Sequence, residues 1–194
     1  MTKPWIVGIT GASGAVYGVR LVETLLERDI PVHLLITDAG WRVLHEELDW
    51  SAGRRQETIA EKFTGPVRYY PIQDIGASVA SGSFLTSGMV IVPCSMGTLS
   101  GIATGASDNL LERAADVVLK EGRKLFLVPR ETPLHAIHLE NMLKLVRMGA
   151  RIIPAMPAFY QKPQSMDELV DFMVGKVLDS MEIEHQLYRR WGDS

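Results

Sequence analysis

The chain holds one cysteine, Cys94, in 194 residues. One thiol cannot close an internal disulfide, which excludes the small stapled folds of secreted proteins and fits a reducing compartment. A basic excess is also missing. Lys plus Arg is 20 against 23 for Asp plus Glu, a net charge of -3, which argues against a nucleic-acid binder working by bulk positive charge. No apolar run approaches the roughly 20 residues that span a bilayer. Met1-Thr2-Lys3-Pro4-Trp5 passes into a strand-like run with no leader-type apolar stretch, so a cytoplasmic location is expected. There is no HExxH, and neither His135 nor His138 has a supporting Cys or carboxylate pattern, so no metal is assigned. Internal repeats, low-complexity tracts and interdomain linkers are absent. What is present is an ordinary globular composition, 46% hydrophobic and 22% charged. A chain this long can hide roughly 70% of its unfolded surface, enough to fold without a metal or disulfide.

Apolar bursts alternate with helical patterns. Trp5 to Ile9 predicts a buried strand, followed by a helix over Tyr17 to Arg28 with Leu21, Val22 and Leu25 on one face. Val32 to Thr37 predicts a second strand, and Asp38 is placed to cap the helix running toward Glu47. Glu57 to Phe63 has helical character, and Val67 to Tyr70 reads as a short strand. A loop rich in Ser, Ala and Gly fills 76–88. Met89 to Val92 predicts a strand stopped by Pro93, and Leu125 to Val128 one stopped by Pro129. Helices are expected from Ser95 to Thr104, Asn109 to Lys120, Pro133 to Met148 and Met166 to Met181, with a last strand at 151–154. This alternation predicts a single α/β domain over 1–194, Rossmann-like (flavodoxin-like), a three-layer sandwich around a mostly parallel sheet. Such sheets bind ligands beyond the carboxyl ends of their strands. The loops 10–18, 93–98 and 129–133 should meet there.

Each loop has a functional and a bland reading. Thr10-Gly11-Ala12-Ser13-Gly14-Ala15 lets backbone N–H groups approach an anion at a helix start, or is merely a tight turn. It nearly fits the dinucleotide fingerprint, but Tyr17 stands where the last glycine belongs, and no Gly-Lys-Ser/Thr follows for a P-loop. Ser95 and Thr98 in Pro93-Cys94-Ser95-Met96-Gly97-Thr98 offer a second cradle, or Ser95 is only an N-cap. Cys94 reads as a small buried hydrophobe. Glu112, Arg113 and Asp116 read as a solvated ion-pair face. Arg130 and Glu131, just past a buried strand, would face the ligand crevice. Tyr160 in Pro157-Ala158-Phe159-Tyr160 sits near the same edge or packs into the core.

These segments, with Tyr17-Gly18-Val19-Arg20-Leu21, LLERAADVVLKE (110–121), Val128 to Leu134 and Ile137 to Met142, resemble the UbiX family of flavin prenyltransferases over nearly the whole chain. That family includes the subunits encoded beside aromatic-acid decarboxylases. The resemblance implies a homo-oligomeric flavoprotein, typically a dodecamer. It would move a dimethylallyl group from dimethylallyl phosphate onto N5 and C6 of reduced FMN without a metal. The product, prenylated FMN, serves a UbiD-type decarboxylase. Neither membrane nor nucleic acid is expected as a partner.

Position by position, the resemblance assigns FMN contacts to Gly11, Ala12, Ser13, Thr37, Ser95, Met96, Gly97, Thr98 and Arg130. It assigns prenyl-phosphate contacts to Ser81, Arg113, Lys120, Glu131, Tyr160 and Lys176, some across a subunit interface. Catalytic roles fall to Ser13, Glu47, Lys120, Glu131 and Tyr160, with Glu47 handling protons. Lys176 departs from the arginine many members carry, keeping the charge but losing the bidentate fork. Three other readings compete. A short-chain reductase needs Tyr-x-x-x-Lys, yet the fourth residue after each tyrosine is Leu21, Gln73, Asp74, Gln164 or Gly192. A peptidyl- or pantothenoyl-cysteine decarboxylase needs a Pro-Ala-Ser-Ala-Asn-Thr type of segment that is not found. A non-catalytic FMN-binding subunit of a decarboxylase complex is the alternative left standing.

Overall fold

The computed structural model describes residues 2–190 and 192. They form two compact units, Met1–Pro154 and Ala155–Ser194.

In the first unit, six strands lie in one sheet: β1 (Trp5–Ile9), β2 (Val32–Ile36), β3 (Val67–Tyr70), β4 (Gly88–Cys94), β5 (Lys124–Pro129) and β6 (Arg151–Ile152). Their order is β3-β2-β1-β4-β5-β6, and every neighbouring pair is parallel. β1, β2, β4 and β5 are almost wholly buried, as continuous apolar runs covered on both faces should be. One face carries Ile6, Leu35, Met89, Ile91, Leu125 and Leu127. It packs on α4 (Met96–Thr104), α5 (Leu110–Lys120) and Leu145 of α6 (Ala136–Arg147). Gly8 is required on that face, because a Cβ there would stand 2.8 Å from a Leu111 methyl. The other face meets α1 (Ala15–Leu26) and, beside it, α2 (Asp38–Leu48). α3 (Arg55–Lys62) follows α2, and a 3-10 turn spans Ser78–Ala80.

Three local expectations are corrected. Thr37, not Asp38, caps α2: its hydroxyl oxygen accepts from Gly40 N–H at 3.0 Å. Asp38 instead accepts from Arg55 (2.6 Å) and Gln73 (3.1 Å). β5 does end at Pro129, but Pro93 does not end β4. β4 runs on through Pro93 to Cys94 by shifting register against β5, because proline lacks an N–H but keeps its carbonyl. Glu112 leaves the solvated face. It is buried, its carboxylate accepts from Asp108 N–H, and Asn109 caps the helix through Glu112 N–H. This is a shifted form of the capping box.

The second unit centres on α7 (Met166–Met181). Ser165 accepts from Glu168 N–H, and Glu168 accepts from Gln164 N–H in return. Val170, Met173, Val174, Val177, Leu178 and Met181 are its buried stripe. No helix of the described residues is long and apolar enough to cross a membrane.

Candidate active site

In an open parallel sheet the ligand crevice lies where the strand order reverses, here between β1 and β4. The loops leaving those two strands are tied together by Thr10, which is fully buried. Its hydroxyl donates to Pro93 O at 2.7 Å and accepts from Ser95 N–H at 2.8 Å. On the β2 side, Gly11 abuts α2 so closely that a Cβ would stand 2.4 Å from Ala39 Cβ. That brings Gly11, Ala12 and Ser13 beside the Thr37 cap. On the β5 side, Cys94 is the register partner of Pro129, so Ser95 and Arg130 leave adjacent strands. Thr37, Ser13, Ser95 to Thr98 and Arg130 therefore form one continuous arc along the carboxyl edge.

Within that arc the bland readings hold alongside the binding ones. Ser95 caps α4, accepting from Thr98 N–H at 3.3 Å and donating to Thr98 Oγ1 at 3.1 Å. Gly97 opens onto free space, with no atom within 4 Å of where a Cβ would stand. The anion expected at the start of α1 is supplied by the protein. Glu47 accepts from Gly14 N–H (3.1 Å) and Ala15 N–H (3.0 Å). A carboxylate suits a helix N-terminus, and this one stands beside Ser13. Burial, and next the Glu47 charge, push the Tyr17 phenol above its ordinary range. Arg130 Nε is buried with no hydrogen-bond partner among the described residues, as is His138 Nδ1. An unmet buried donor costs about 1–3 kcal/mol, so Arg130 calls for an acceptor oxygen. Glu131 is exposed and accepts from Thr132 N–H.

Three other expected residues, Ser81, Arg113 and Lys120, lie outside the arc in this unit. α5 ends at Lys120, four residues before β5 begins, and the 81–87 loop leads into β4. Lys120 and Ser81 therefore lie at the amino edge of the sheet. Lys120 Nζ pairs with Glu121 at 2.5 Å, which holds that carboxyl below its ordinary range. A Cβ on Gly82 would stand 3.0 Å from Lys120 Nζ. Arg123 locks this loop, donating to Gly82 O (2.6 Å) and Phe84 O (2.7 Å). Arg113 is two turns before Lys120 on the exposed face of α5, paired with Asp116 at 3.4 Å. In the second unit, Tyr160 meets Phe172 edge-on (5.9 Å), and Lys176 is exposed on α7. Trp191, in the C-terminal Arg189-Arg190-Trp191, lies outside the described residues.

Thr10, Arg123 and the orphaned His138 were not expected from sequence. Thr10 left one usable signal, a polar residue closing a buried strand. Arg123 left none, since a charged residue in a helix-to-strand turn is ordinary. Among the described residues no group of three or more His, Cys, Asp or Glu could hold a metal ion.

The family model described as Flavoprotein matches residues 1–178. A flavin prenyltransferase UbiX of Halalkalibacterium halodurans is 58% identical over 192 residues, covering 97% of this chain and 93% of that one. A solved structure of AnUbiX in complex with FMN and dimethylallyl pyrophosphate aligns with a TM-score of 0.91 at 39% identity, over 100% of both chains. A dodecameric FMN-dependent UbiX-like decarboxylase from Escherichia coli O157:H7 aligns with a TM-score of 0.89 at 46% identity, over 98% of this chain and 100% of that one.

Proposed function

The chain belongs to the Flavoprotein family, and from that premise we propose that it is a flavin prenyltransferase. It transfers a dimethylallyl group from dimethylallyl phosphate to reduced FMN, giving prenylated FMN. The observation that carries this reading is the arc at the carboxyl edge, closed by Thr10 and ending in the unmet Arg130 donor.

The residues fit FMN. Gly11, Ala12, Ser13 and Thr37 line one side, Ser95, Met96, Gly97 and Thr98 the other, and Arg130 supplies a donor that lacks an acceptor. When bound and reduced, the flavin supplies the nucleophilic positions that receive the prenyl carbon. The protein's own share is electrostatic. Lys120, Arg113, Lys176 and Tyr160 neutralise and hydrogen-bond the phosphate as it leaves. Ser13 orients protons at the flavin edge. Glu47, held beside Ser13 by the α1 N–H groups, and Glu131 accept or relay the proton released on ring closure. An allylic cation must be kept from solvent, so the pocket must be dry.

That requirement favours several copies around each pocket. A strand of five to six residues is roughly 17–20 Å long, so Ser81 and Lys120 are too far from Ser13 and Arg130 of the same chain to share one small substrate. They serve a neighbouring copy's flavin. α6 supports this with exposed apolar side chains, among them Ile137 (62%), Leu139 (53%) and Leu143 (50%), a face a solitary chain would leave wet. We take the assembly to be a dodecamer in the cytoplasm, handing its product to a UbiD-type decarboxylase.

The test incubates the purified protein anaerobically with reduced FMN and dimethylallyl phosphate, with the diphosphate in parallel. A flavin heavier by one prenyl group supports the enzyme. Bound but unmodified FMN identifies a non-catalytic FMN-binding subunit of a decarboxylase complex.

A further inference from the structure

In the second unit one carboxylate gathers four donors. Asp179, near the end of α7, accepts from Tyr188 Oη (2.5 Å), Arg190 Nη2 (2.8 Å) and His185 Nε2 (3.1 Å). Lys176 Nζ stands 3.9 Å away, one turn back on the same helix. The first three partners all lie on the segment 182–190, which leaves α7 at the left-handed Glu182 (φ 61°). The segment lies flat against the helix because Gly175 has no side chain. A Cβ there would stand 2.5 Å from the Tyr188 ring and 2.8 Å from His185. Tyr188 in turn packs on Phe172 (ring centroids 5.1 Å apart), and Phe172 receives Tyr160 edge-on.

We propose that Asp179 is a positioning residue for the prenyl-phosphate end of the site. It fastens the segment 182–190 along α7 and thereby fixes Tyr160 and Lys176 for the phosphate. Tyr188, Arg190 and His185 satisfy the carboxylate at hydrogen-bond distance, whereas Lys176 is held only at ion-pair range. Lys176 is thus the partner most easily yielded to an incoming phosphate, and Asp179 stays anchored when it leaves. The ring stack from Tyr188 through Phe172 to Tyr160 carries the same fastening to the phenol. Arg190 adds a guanidinium beside Lys176, where lysine alone lacks the bidentate fork. The inference rests on the assignment of Tyr160 and Lys176 to the phosphate made above.

The experiment compares wild type, Asp179→Asn and Gly175→Ala in the full assembly. Asp179→Asn removes the charge at constant shape, and Gly175→Ala lifts the segment while leaving the carboxylate in place. Both should lower kcat/KM for dimethylallyl phosphate about tenfold or more. FMN affinity should be unaltered, and the Leu187 amide, which donates to His185, should exchange faster with solvent. A wild-type kcat/KM in Asp179→Asn despite faster exchange overturns the proposal. So does an equal loss of FMN affinity, kcat and thermal stability, which marks a merely structural residue. A wild-type protein that binds FMN yet never prenylates it overturns the reading of the site itself, before any variant is compared.

Discussion

At the carboxyl edge of the sheet the site side chains are short and tied to one another: Thr10 to Pro93 and Ser95, Ser95 to Thr98, Glu47 to the start of α1. At the amino edge they are long, charged and exposed: Lys120 stands against Glu121, with Arg123 bracing the loop behind it. The first edge is preorganised, so it can hold a flat, hydrogen-bonding ligand with little further ordering. The second is a set of cations in water, where ion pairs contribute little. They become strong only when another surface excludes the water around them. On the proposed reading, the first edge is a finished half-site and the second is half of a neighbour's.

Several measurements would break or sharpen that contrast. The largest effect is expected at the cationic edge. Lys120→Ala should slow single-turnover prenylation by about 100- to 1000-fold, the scale of removing one transition-state donor, while FMN titration stays normal. Loss of FMN binding there would erase the distinction between the edges. Next, co-expressing Lys120→Ala with Arg130→Ala chains should yield mixed oligomers with part of the activity restored. Some pockets then draw each intact residue from a different copy. Activity no higher than that of the two separate proteins would place both residues in one chain's site.

The interlocked edge should answer in stability. Thr10→Val leaves Ser95 N–H without its acceptor in a buried place, so unfolding free energy should fall by about 1–3 kcal/mol, with weaker FMN retention. Denaturant titration checks both.

A further prediction concerns pH and the second unit. Burial, and then the hydrogen bond to Asp179, push the Tyr188 phenol up to about 12. Burial alone would raise the Asp179 carboxyl, but donors from Tyr188, Arg190 and His185 outweigh it and hold it low. A raised phenol stabilises the fold below its unfolded value near 10 and loses that contribution as pH climbs through 12. A lowered carboxyl stabilises above its unfolded value near 4 and loses that contribution on acidification. The 182–190 segment should therefore hold between those limits. Near pH 11 an ultraviolet phenolate titration should show fewer tyrosines ionised than in the unfolded chain. Tyr188→Phe should narrow that difference, leaving the part due to Tyr17.

The smallest effect is at Cys94, fully buried, with its thiol pushed far up by burial. Iodoacetamide at pH 8 should leave the native protein unmodified and label it once unfolded.

Most of the fold was legible in the chain. Continuous apolar runs at β1, β2, β4 and β5 marked strands covered on both faces, and the bounds expected for α7 are those observed. What misled was local chemistry judged without neighbours. Pro93 reads as a strand stop, where a bulged register admits it. Asp38 reads as a cap, while Thr37 holds that position and Arg55 draws the aspartate away. Glu112 reads as solvated, although Gly101 leaves room for its carboxylate.

Hydrophobic periodicity and the small residues after β1 and β4 determined, without coordinates, a doubly wound parallel sheet with a ligand edge, because burial pattern and backbone reach are local properties of the chain. Tertiary structure alone decided that Thr10 joins the two loops, that Glu47 returns to the start of α1, and that Lys120 stands at the far edge from Ser13. Those facts depend on which strands become neighbours and which ends of the sheet their helices reach, and no spacing along the chain encodes a distance across it.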